Sequence, residues 1–174
     1  MACFYFDFAA QKEQSPTSIM SSLLKQVVHG LEEIPAKIAQ AFRDRKNIVG
    51  GRELGLDEIV EILQDISSSR PTFTCIDALD ECMAEYRAKL LASLNQILHK
   101  SPSTRIFLAG RLQIRDEVEK HLAGRVVALS ITPTKDDIIW FLQVKLKEDI
   151  IPDAMNKSLE AEIIKDIPET VSEM

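Results

Sequence analysis

Short apolar runs without polar alternation, each followed by residues at helical spacing, recur along the chain and restrict its fold more than any other feature. Four of them read as strands: "CFYFDF" (3–8), "TFTCIDAL" (72–79), "TRIFLAG" (104–110) and "RVVALSI" (125–131). Strands of this kind are apolar on both sides, so they belong in a parallel sheet with helices over both faces, the α/β class. The intervening segments supply those helices. "TSIMSSLLKQVVHGLEE" puts Ile19, Leu23, Leu24, Val27 and Leu31 on one face, with Thr17 or Ser18 as N-cap. Pro35 opens a second pattern through Ile38, Ala41 and Phe42, which the polar run "RDRKNIVGGRE" closes as a loop. "LDEIVEILQDI" carries Ile59, Ile62, Leu63 and Ile66, and "MAEYRAKLLASLNQILHK" carries Leu90, Leu91, Leu94, Ile97 and Leu98. "QIRDEVEKHLAG" is a further helix, and Thr132 to Thr134 introduce another, "KDDIIWFLQVKLKED", whose Trp140 and Phe141 are expected in the core. "SLEAEIIKDIPETVSEM" is expected to be helical as far as Pro168.

Length and composition fit one globular domain: 174 residues, 45% hydrophobic and 28% charged. The 27 acidic against 21 basic residues give a net charge of -6, and no Lys/Arg block interleaved with aromatics occurs, which excludes nucleic acid as an expected partner. No apolar run approaches the roughly 20 residues that span a bilayer, and "MACFYFDFAA" has neither a basic segment nor a long apolar one. A cytoplasmic protein without membrane contact is expected. Cys3, Cys75 and Cys82 lack CxxC spacing and read as buried thiols in a reducing compartment.

Function in open parallel sheets sits beyond the carboxyl ends of the strands. Those ends carry Asp77, Asp80 and Glu81 in "FTCIDALDE", Arg111 in "RIFLAGR" and Asp7 in "FYFDF". An apolar strand ending in Asp is how nucleotide hydrolases hold Mg²⁺. An acid three or four residues later can polarise water, and an Arg on the neighbouring strand can reach a γ-phosphate. The plainer alternative is that Asp80 or Glu81 caps the helix after the strand. Asp7 reads as a strand-end or surface acid, and His29, His99 and His121 as helix-terminal residues rather than metal ligands.

"FTCIDALDE" resembles the Walker B motif of NACHT-type (STAND) signalling P-loop NTPases, whose mark is a small residue after the metal-binding Asp; Ala78 fills that place. The later helices and strands occur in the order of that domain, as found in fungal receptor-like proteins with nephrocystin-3-like N-terminal modules. The resemblance implies a three-layer P-loop NTPase fold in which Asp77 orients Mg²⁺, Asp80 and Glu81 are candidates for water activation, and Arg111 senses the phosphate. It also implies Mg²⁺ with ATP or GTP as cofactors of the intact domain, and protein partners or self-association within a larger multidomain protein.

Two departures bear on activity. Where the family's sensor strand ends in Thr-Ser-Arg, this chain has Ala109, Gly110 and Arg111. No GxxxxGK[ST] loop occurs either; the nearest spacing, "GGRELGLD", puts Leu56 at the Lys position and Asp57 at the hydroxyl position, with Glu53 inside the loop. The expectation is therefore a partial NACHT-type core over 3–131, lacking the Walker A strand, followed by the start of a helical subdomain over 132–174. Such a piece would belong to a nucleotide-dependent signalling switch yet bind no nucleotide alone. The rival is a non-catalytic interaction module on a degenerate NTPase scaffold. A metal-dependent phosphatase or nuclease lacks the further Asp/His clusters it needs.

Overall fold

A computed structural model describes residues 1–34, 36, 38–40, 43, 54–148 and 156–172. Three parallel strands, β1 (Ala2–Tyr5), β2 (Phe73–Asp77) and β3 (Arg105–Leu108), form a sheet in the order β1-β2-β3. Tyr5 lies opposite Asp77 and Ile76 opposite Leu108, so the carboxyl ends of all three strands fall at one edge. Helices of this part include α1 (Pro16–His29), α2 (Leu56–Ser69), α3 (Ala84–Lys100) and α4 (Arg115–His121). Parallel strands need crossover connections, and these helices supply them.

The chain divides into two compact units, Met1–Val126 and Val127–Met174. In the first, Ala2, Thr74 and Ile76 turn one face of the sheet toward a single buried cluster. Ile19, Met20 and Leu23 of α1, Ile59, Leu63 and Ile66 of α2, and Leu90, Leu91 and Leu94 of α3 complete it, with Val118 and Leu122 from α4. The residues between these positions on the strands, Tyr5, Phe73 and Phe107, point to the opposite face and are exposed.

Local chemistry sets the helix starts. The cap of α1 is Ser15, earlier than the expected Thr17 or Ser18: its Oγ accepts from the Ser18 N–H at 3.2 Å, and Pro16 takes the first helical position, where its missing N–H costs nothing. Gly55 precedes α2 and donates its N–H to Glu58 Oε2 at 2.8 Å. That places the downstream end of "GGRELGLD" at a helix cap; residues 50–53 of it lie outside the described residues, as does most of the segment after Pro35.

Three expectations are corrected. "RVVALSI" forms no strand: residues 126–131 have neither helical nor strand structure, and Val127 is 97% exposed, with Leu129 and Ile131 exposed as well. A strand exists only by hydrogen bonding to a neighbour, and among the described residues none pairs with this run. Trp140 and Phe141 are exposed rather than buried. They lie on α5 (Lys135–Lys147), which packs on α6 (Lys157–Ser172) in the second unit, and two helices alone cover only one stripe of each other. Finally, α6 runs through Pro168 to Ser172 instead of stopping there, with the Thr170 hydroxyl donating to the Asp166 carbonyl at 2.9 Å.

Candidate functional site at the carboxyl end of the sheet

Asp77 is the last residue of the central strand, half-buried, and its Oδ1 accepts the N–H of Ala78 at 2.9 Å. Ala78 takes the left-handed conformation (φ 53°, ψ 41°), alone among the described non-glycine residues in having a positive φ. That conformation costs a side chain with a Cβ roughly 1–2 kcal/mol, which suits a residue no larger than alanine. The chain then closes a short 3₁₀ turn, Leu79–Glu81, with the Glu81 N–H on the Ala78 carbonyl at 2.9 Å. The small residue that follows the strand-end acid thus turns the two later acids back over the sheet.

Cross-strand hydrogen bonds hold this turn against β3. The Leu79 N–H donates to the Ala109 carbonyl at 2.9 Å, and the Ala109 N–H donates to the Ile76 carbonyl at 2.9 Å. Gly110 stands at the closest approach: a Cβ there would lie 2.8 Å from Ile114 Cδ1 and 3.3 Å from the Asp80 backbone nitrogen. A side chain at 110 would therefore have to shift the Ile114 terminal methyl and crowd Asp80. Asp80, its side chain only 8% exposed, accepts the Arg111 backbone N–H at Oδ1 (3.2 Å) and the Arg111 guanidinium at Oδ2 (3.3 Å), whereas the Arg111 side chain is 76% exposed. Asp80 and Arg111, proposed from different strands, are thus brought together. Glu81 is half-buried in the same turn, its carbonyl accepting from Gln11 Nε2 at 2.5 Å.

Neither Asp80 nor Glu81 caps the following helix, since α3 has Met83 at its N-cap and no side-chain cap bond. Asp7 reaches the same sheet end and serves its own turn, with Oδ1 accepting the Ala9 N–H at 2.9 Å. His29 and His121 are terminal residues of α1 and α4, and His99 in the last turn of α3 lies beside the Arg125 guanidinium, 3.1 Å from Nδ1. Local pattern did not reveal Arg87. From α3 its Nη1 donates to the Cys82 carbonyl (2.9 Å) and its Nε to Glu117 of α4 (2.7 Å), tying the acidic turn to two helices. Only an exposed-looking Arg four residues into a helix could have hinted at it, and its partner is thirty positions away. Beneath the turn, burial pushes the Cys82 thiol up to about 11, with Arg87 opposing the shift and Glu117 adding to it.

Of these residues Asp77 could hold a magnesium ion. Mg²⁺ takes one or two carboxylates and keeps several waters, so a dedicated cage is not required. Asp77 offers a half-exposed carboxylate whose Oδ2 takes no hydrogen bond among the described residues, and no group of three or more metal-ligating side chains occurs among them.

The family described as "Nephrocystin 3, N-terminal" matches residues 1–111, more than half of the sequence, ending on Arg111. The chain belongs to the nephrocystin 3 N-terminal family. The family's span takes in β1, β2 and β3 and every residue of the acidic turn. Among solved structures, a Walker-type ATPase of Pyrococcus abyssi is similar at a TM-score of 0.50 and 16% identity, over 98% of this chain and 53% of that one. The likeness is one of fold, and this nephrocystin 3 N-terminal chain spans about half the length of that ATPase. No curated protein matches the chain. The chain thus has a mixed α/β scaffold with a parallel sheet, similar in fold to a Walker-type ATPase.

Proposed function

We propose that this chain carries the Walker B half of a NACHT-type, nucleotide-dependent signalling switch. The observation that supports it most is the placement of Asp77 at the carboxyl end of the central parallel strand, followed by the left-handed Ala78 and the Asp80–Arg111 pair. Asp77 would hold the magnesium of a bound nucleotide, which neutralises charge developing on the β- and γ-phosphates. Asp80 is engaged by Arg111 and positions the end of β3. Glu81, in the same turn, is the acid left to polarise water, and the exposed guanidinium of Arg111 is the group that reaches toward a phosphate.

None of these residues cradles phosphates, and the 174-residue sequence contains no GxxxxGK[ST]. The isolated chain is therefore expected to bind Mg-ATP no better than a loose cation site does, at millimolar level. Calorimetric titration that found low-micromolar binding at one site would refute this. A chimera that places a strand, a GxxxxGK[ST] loop and a helix ahead of Met1 should gain nucleotide binding that depends on Asp77. In it, Asp77→Asn should weaken Mg-dependent binding by about 1–3 kcal/mol, the range for a lost charge-assisted contact. Glu81→Gln should spare binding and slow hydrolysis, because a water-polarising acid acts mainly in the transition state. If the chimera folds and binds no nucleotide, the non-catalytic interaction scaffold is the better account.

A further inference from the structure

The mechanism uses neither Cys3 nor Cys75, yet the fold sets them side by side. Cys3 of β1 lies in register with Cys75 of β2. In a parallel pair, in-register residues project to the same face, and neighbouring strands lie about 4.7–4.9 Å apart. That spacing falls within the roughly 4.4–6.8 Å between Cα atoms that a disulfide spans. The two side chains therefore stand at neighbouring positions on one face of the sheet. Both are free and half-exposed, whereas Cys82 is buried; the sequence had led us to expect three buried thiols. The face that carries them is flanked by exposed Tyr5, Phe73 and Phe107, so small solutes reach it without opening the core.

We propose that Cys3 and Cys75 form a reversible cross-strand disulfide when the chain meets a low-molecular-weight disulfide such as oxidised glutathione. One protein thiolate attacks a sulfur of the reagent, breaking its S–S bond and expelling one small thiolate. The second protein thiolate attacks the mixed disulfide at the protein sulfur, forming the Cys3–Cys75 bond and expelling the other small thiolate. The protons lost by the two cysteines end on the two expelled thiols, and the reagent is reduced by the two electrons that the pair gives up. A disulfide on an exposed sheet face is open to reducing thiols, which makes the step reversible. It would pin β1 to β2 two residues before Asp77.

The test treats the full 174-residue chain with oxidised glutathione, alkylates it after unfolding and maps the peptides. Before alkylation the expected product is a single chain lighter by two hydrogens, which dithiothreitol returns to three free thiols; after alkylation it carries the Cys3–Cys75 cross-link with Cys82 alone alkylated. Cys3→Ser and Cys75→Ser should each abolish the cross-link, and Cys82→Ser should retain it. Glutathione adducts without a cross-link, three unreacted thiols, a cross-link between two chains, or an equal yield from the urea-unfolded chain would each overturn the proposal.

Discussion

Ala78 shows how one backbone angle shapes the site. Its positive φ turns the chain directly after Asp77 and sets the Ala78 N–H on the Asp77 carboxylate. Glycine reaches that angle without steric cost, at the expense of roughly 0.5–1 kcal/mol of extra unfolded-state freedom. Ala78→Gly should therefore leave stability unchanged or raise it by up to about 1 kcal/mol. Ala78→Val brings a β-branched side chain into a region it almost never occupies and should cost about 1–3 kcal/mol. Urea unfolding midpoints of the two variants decide the matter; a valine tolerated as well as glycine would mean that residue 78 is not held left-handed. The place of Asp77 at the end of a strand was legible in the sequence, because an apolar run ending in Asp is a local pattern. The division of labour among its neighbours was not. Asp80 meets Arg111 across thirty-one positions, and Gly110 is fixed by its distance to Asp80 and Ile114, so both depend on strand register.

At the level of elements, apolar period located six helices and three strands, and missed where an element depends on a partner. The edge of β1 illustrates a partner that no pattern announces: Gln26 of α1 accepts the Cys3 N–H at 2.9 Å and donates to the Cys3 carbonyl at 2.8 Å, occupying the strand's outer edge as another strand would. Residues 125–131 have the composition of a strand but no such partner, and composition alone could not show that. Helix α5 is the opposite case, its start written in adjacent residues. Thr134 N–H and Oγ1 both donate to Asp137 Oδ2 (2.9 and 2.6 Å), and the Asp137 N–H returns to Thr134 Oγ1 at 3.2 Å. Those bonds from Thr134 hold the Asp137 carboxyl below its ordinary 3.8. A depressed folded-state value means that the cap's contribution is present above pH 3.8 and is lost as pH falls through the lower folded value. An NMR titration should therefore show the Thr134 amide moving with a midpoint below 3.8. Thr134→Ala should return that midpoint toward the ordinary value and remove about 1 kcal/mol of helix stability. An unchanged midpoint in the variant would show that the box does not hold the carboxylate.

Across the whole molecule, the buried cluster decides what folds as a unit. Every one of its fully buried hydrophobic members lies between Ala2 and Leu122, within the unit that ends at Val126. Residues 1–126 alone should therefore unfold cooperatively, with a melting temperature within a few degrees of the full chain, since every buried member of that cluster is kept. Their amide exchange should also report the sheet's open side. Arg105 and Ala109 donate their N–H groups to Thr72 and Ile76, and the alternation of a parallel ladder then places Phe107 N–H on β2 and the N–H groups of Ile106 and Leu108 on the outer edge. Phe107 and Ala109 should exchange slowly and Ile106 and Leu108 quickly, with 127–131 of the full chain as fast as an unfolded peptide. Added parallel strands pair at such an edge, so in the chimera with a phosphate-loop strand Ile106 and Leu108 should become as protected as Phe107. Uniform protection along β3 in the isolated chain at dilute, monomeric concentration would mean that its outer edge is already paired and that an added strand cannot join there.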